Sequence, residues 1–86
     1  MKPDYAKAID ATTQEVVDAT LMWPNPANSA HEAYAVLAEE VDELWDHVKT
    51  NQKRRDVGAM YKEAIQVAAM AIRFAAEVAN EERGRR

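Results

Sequence analysis

Apolar residues recur at helical spacing in three stretches of the chain, separated by two short segments rich in turn formers. In the first stretch Ile9, Thr13, Val16, Val17, Thr20 and Leu21 share one side of a helical wheel, with Lys7, Asp10, Gln14 and Asp18 opposite. That pattern predicts a helix over 4–22 with Asp4 at its N-cap. Trp23-Pro24-Asn25-Pro26-Ala27-Asn28 ends it, because each proline biases its predecessor away from the α region and asparagine favours turns. Ser29-Ala30-His31-Glu32 then has the form of a capping box, the serine oxygen and the glutamate each taking an orphan backbone N–H. The helix it opens is predicted over 29–49, with Tyr34, Leu37, Val41, Leu44, Trp45 and Val48 as its apolar stripe. The polar stretch 50–55 reads as a turn, and Asp56 caps a third predicted helix over 56–80. Its apolar face is Tyr61, Ala64, Ile65, Ala68, Ala71, Ile72, Ala75 and Val78, with Met60 and Met70 as packing residues. Residues 81–86 read as a frayed tail.

Three helices and no strand pattern predict an all-α chain of one domain, 1–86, in which the second and third helices form a central antiparallel hairpin. A turn centred near residue 53 sets Leu37 level with Ala69, Val41 with Ile65 and Trp45 with Tyr61. The same register sets Glu43 level with Glu63 and Glu40 level with Gln66, so three carboxylates and an amide are expected to converge between the helices.

Composition sharpens this picture. With 86 residues and 17 alanines the chain favours helix but buries little area per residue, so assembly into a homo-oligomer of four-helix-bundle type is expected. The absence of cysteine excludes a disulfide framework and a thiolate metal site. The opening Met1-Lys2-Pro3-Asp4-Tyr5 lacks the apolar core of a signal peptide, and no apolar run is long enough to span a bilayer; a cytoplasmic protein without membrane partners is expected. A net charge of −4 disfavours nucleic acid as a partner, despite the basic clusters Lys53-Arg54-Arg55 and Arg83-Gly84-Arg85-Arg86.

Glu40 and Glu43 lie three apart on one helix, as do Glu63 and Gln66 on the next, so each pair can point at one spot. Carboxylate and amide oxygens are hard ligands suited to Mg²⁺ or Mn²⁺, and a cation would relieve the repulsion within such a cluster. The competing reading is a solvated acidic face formed by Glu39, Glu40, Asp42, Glu43 and Asp46. No Glu-x-x-His pair occurs, which argues against a di-iron bundle although His47 follows Glu43 by one turn; His31, in a first helical turn, is ordinary.

Glu39-Glu40-Val41-Asp42-Glu43-Leu44 followed by Glu63-Ala64-Ile65-Gln66 resembles the ExxE…ExxD signature of the MazG family of all-α nucleoside triphosphate pyrophosphohydrolases, in particular its compact phage and mobile-element type. The resemblance covers about residues 29–79. It implies a Mg²⁺-dependent enzyme, with Mn²⁺ as a possible substitute, that converts a (d)NTP to the monophosphate and pyrophosphate. Carried over, Glu40, Glu43 and Glu63 match the metal ligands. Gln66 departs from the family's Asp: it offers a carbonyl oxygen without charge, from which weaker metal binding, loss of a second metal site or loss of catalysis is expected.

Within that reading Glu39 is the candidate for orienting or deprotonating the attacking water. Lys53, Arg54, Arg55, Lys62 and Arg73 are alternative sources of positive charge for the phosphates. Trp23 can stack on a nucleobase or plug the end of the bundle. The resemblance also implies dimers, or dimers of dimers, with sites at or near subunit interfaces. The alternative function is a non-catalytic helical module binding a nucleotide or a protein through a degenerate site.

Overall fold

The computed structural model describes residues 2–79, and every regular element among them is helical. Helix α1 spans Tyr5–Met22, α2 Ala30–Val48 and α3 Val57–Arg73; a 3₁₀ turn, Gln52–Arg54, lies between α2 and α3, and a π turn, Phe74–Val78, continues α3. The predicted end of the third helix at Asn80, the tail 81–86 and its basic cluster lie outside the described residues. None of the helices is long and apolar enough to cross a membrane.

The side chains expected at the N-caps close all three helices. Asp4 accepts from the Lys7 amide at 2.9 Å, Ser29 from the Glu32 amide at 3.1 Å and Asp56 from the Ala59 amide at 3.0 Å. The capping box at α2 is only half made, because Glu32 Oε2 accepts from the Asn28 amide nitrogen at 3.2 Å. Asn51 caps the 3₁₀ turn, and Arg55 Nε donates to the Val48 carbonyl at 2.9 Å, satisfying an acceptor at the end of α2.

Helix α3 is the central element, packed against α1 on one side and α2 on the other. Its Ala69 is fully buried and Val78, in the π turn, is 2% exposed; these are the only fully buried apolar residues described. Alanine at 69 lets neighbouring backbones approach closely. Thr12 of α1 is also buried, its hydroxyl satisfied by the Ala8 carbonyl at 2.8 Å.

The face α1 turns inward differs from the one its periodicity suggests. Of the predicted face only Val16 is shielded, together with Ala8, Ala11, Thr12, Glu15 and Ala19, whereas Ile9, Thr13, Val17, Thr20 and Leu21 are exposed. On α2 the predicted stripe divides: Leu37, Leu44 and Val48 are half-buried, while Tyr34, Val41 and Trp45 face outward, Trp45 being 57% exposed. Trp45 is therefore not a core residue of the single chain. On α3, Tyr61, Ala64, Ala71, Ile72 and Ala75 are exposed, and Ile65, Ala68, Met60 and Met70 are half-buried. Glu40 and Gln66 meet between α2 and α3 and are half-buried, and on α2 the neighbouring Val41 is turned toward solvent.

Ala69→Leu, forcing volume into a fully buried position of the central helix, is expected to lower stability by about 1–3 kcal/mol. A urea denaturation midpoint unchanged from wild type would show that the position has slack.

Candidate functional site

The helix register brings Glu40, Glu43 and Glu63 together, each offering an oxygen such that the three lie within 4.8 Å of one another. With its amide nitrogen turned toward the carboxylates, Gln66 donates to Glu40 Oε2 at 2.9 Å and to Glu63 Oε2 at 3.1 Å. This contact places Gln66 level with Glu40 across the hairpin, the register expected from the turn. A half-rotation of the amide exchanges nitrogen for oxygen, so the same side chain can donate to two carboxylates or complete an all-oxygen set.

Burial, and the negative charges of Glu43 and Glu63, push the Glu40 carboxyl up from its ordinary 4.5 to about 7. Glu40 and Glu63 are half-buried between the helices, while Glu43 opens to solvent. Hard oxygens converging from two helices, one side accessible, fit a divalent cation that keeps water or phosphate positions open. The geometry also explains why both i,i+3 pairs are needed: each helix supplies two polar groups on one face, and neither could surround an ion alone.

Beside this cluster lies a cleft of about 670 Å³. Glu40 and Gln66 form part of its lining; Met22, Trp23, Val36, Met70, Phe74 and Val78 supply apolar surface. Glu15 and Asp18, one turn apart on α1, add carboxylates, and Arg73 is its cation. A smaller recess of about 310 Å³ shares Glu15, Asp18 and Gln66 with the first and is bordered by Tyr61 and Lys62.

The residues singled out from the sequence divide accordingly. Glu40, Glu43, Glu63 and Gln66 meet. Trp23 and Arg73 line the large cleft and Lys62 the small one; Lys53 and Arg54, in the 3₁₀ turn, line neither. Glu39 is exposed and stands outside the carboxylate cluster. Trp23 is 65% exposed and forms a wall of the cleft, so it does not seal the bundle end. Arg73 is engaged by Glu77, Nε to Oε2 at 2.6 Å and Nη2 to Oε1 at 3.0 Å, and by the Trp23 carbonyl. Sequence reasoning passed over Glu15, a half-buried acid on a helix whose other acids are exposed. Its signal was faint: Glu15 lies one position before Val16, on the border of the face assigned to the core.

Compared with known proteins, the chain matches no family model, no curated sequence and no solved structure.

The raised carboxyl has a consequence for stability. Folded chain keeps the Glu40 proton up to about pH 7, whereas unfolded chain loses it near 4.5, so the native state binds more protons in that window and stability falls as pH rises through it. In metal-free buffer this component of the melting temperature should decrease between those pH values and vanish in Glu40→Gln. Parallel melting profiles for the two proteins would contradict it.

Proposed function

We propose that the protein is a Mg²⁺-dependent nucleotide pyrophosphohydrolase that converts a (d)NTP to the monophosphate and pyrophosphate. The observation that carries this reading is the convergence of Glu40, Glu43 and Glu63, on two helices, beside a cleft large enough for a nucleoside. The resemblance to the ExxE…ExxD signature supplies the reaction class; the geometry supports it by bringing the motif residues to one place.

In this reading Glu40, Glu43 and Glu63 would hold the ion, with Gln66 turning its carbonyl inward. The bound ion supplies positive charge to the triphosphate oxygens and lowers the pKa of water. The half-buried carboxylates exclude free anions from the cluster until their charge is compensated. Trp23, Phe74 and Val36, which line the cleft, would shield the base, and Lys62, at the smaller recess, is the proposed counter-charge for the phosphates. Glu39 stands on the solvent side of α2 and is the proposed acceptor of a proton from attacking water.

The active form is proposed to be a homo-oligomer, dimer first. Tyr34, Val41 and Trp45 form an outward apolar row on α2. Covering that row against a second copy would supply the core that Ala69 and Val78 alone do not. Light scattering should give at least twice the chain mass, and Trp45→Lys should reduce it; a wild-type monomer at micromolar concentration would overturn the assembly.

Gln66 favours a second reading, a nucleotide-binding module without turnover, because it removes one negative charge from the ligand set. Pyrophosphate release from a panel of NTPs and dNTPs with Mg²⁺ or Mn²⁺ decides between them. Release by wild type and its loss, by at least about 100-fold, in Glu43→Gln is expected if the cluster provides the transition-state stabilisation. Gln66→Asp should tighten metal binding. Turnover by Glu43→Gln at the wild-type rate would remove the cluster from the chemistry, and silence of the folded wild type would leave the binding module.

A further inference from the structure

Arg73 has an arrangement that a phosphate-binding cation would not need. Its side chain is only 13% exposed, two of its nitrogens are held by both oxygens of Glu77, and Nη2 also donates to the Trp23 carbonyl at 2.8 Å. The last bond spans 50 positions, from the end of α3 to the residue that closes α1. Helix α1 has no basic residue in its own last turn. Arg73 therefore supplies from another helix both a donor for a terminal carbonyl and a positive charge at the negative end of the dipole.

The surroundings make that bond consequential. Beyond Trp23 the chain runs through Pro24 and Pro26, which have no amide hydrogen and cannot donate backbone hydrogen bonds. Arg73 is also the last α-helical residue before the π turn, in which the Ala79 amide donates to the Phe74 carbonyl at 2.9 Å. The π turn carries Phe74 and Val78, which line the same cleft as Trp23, and Glu77, which pairs with the guanidinium. An anion seeking Arg73 would compete with Glu77 inside a cleft already lined by Glu15, Asp18, Glu32 and Glu40.

We infer that Arg73 is a positioning residue: by tying the Trp23 carbonyl to the start of the π turn it sets where Trp23 stands relative to Phe74, the other aromatic side chain lining the cleft, and so the affinity for a planar aromatic group bound there. In the nucleotide reading, on which the identity of that group rests, it acts on base binding and leaves the phosphates to other residues.

Quenching is read in a Trp45→Phe background, an apolar replacement that keeps the outward row of α2 and leaves Trp23 the one tryptophan, and kinetics in the otherwise wild-type chain. Without ligand, Arg73→Met should raise acrylamide quenching of Trp23 by up to about 1.5-fold, the headroom that its 65% exposure leaves, and Arg73→Lys, which can keep one partner but not the fork, should fall between. With nucleotide and Mg²⁺, Arg73→Met should raise KM about tenfold and change kcat by less than about twofold. Unchanged quenching would overturn the clamp. A collapse of kcat at constant KM would put Arg73 on the reacting phosphates and overturn the positioning role. Should Arg73→Met fail to fold, Glu77→Gln, which retains the arginine but weakens its anchor, must show the same direction in quenching and KM. If wild type turns over no nucleotide, the pyrophosphohydrolase reading fails, while quenching still decides whether Arg73 holds Trp23.

Discussion

The contact between Gln66 and Glu40 expresses the constraint on which the rest of this molecule depends. Antiparallel helices can pair in many registers, but only a narrow set brings the two polar pairs, one on each helix, onto a common level. Holding that register half-buries Glu40 and gathers carboxylates that repel one another, and burial first, then repulsion, raises the Glu40 carboxyl. The amide of Gln66 partly offsets it by donating to two of the acids. A chain shaped for stability alone would place apolar side chains at this interface; here polar groups occupy it, and apolar residues are turned outward.

That displacement explains the thin core. Ala69 and Val78 are fully buried, while tyrosines, tryptophans and several β-branched residues lie on the surface. Alanine is a strong helix former and contributes little hydrophobic area, so α3 is well suited to being a straight central post and poorly suited to holding a monomer together. The same exposed rows that weaken the isolated chain offer a surface to a partner copy, so the polar site and the proposed assembly have one origin.

The end of the molecule away from the hairpin turn obeys a different logic. There the chain reverses through two prolines, and α3 widens into a π turn. Both features give up backbone hydrogen bonds of the regular kind, and Arg73 with Glu77 joins them. The cleft is thus lined by Glu40 of the carboxylate cluster, by the Arg73–Glu77 ion pair and by apolar side chains.

The sequence by itself determined the three helices, their caps at Asp4, Ser29 and Asp56, and the register that unites Glu40, Glu43, Glu63 and Gln66. These depend on local capping chemistry, on a 3.6-residue period and on the position of one turn, all legible along the chain. Only the tertiary structure decided which side of each helix faces inward. Trp45 and Ile9 carry the right period for a core, but period locates a stripe without saying whether this chain or a neighbour covers it. Glu15 and the engagement of Arg73 were hidden for a related reason: a half-buried acid and a cross-helix hydrogen bond depend on how α1 is rotated against α3, and no local signal along the chain encodes that rotation.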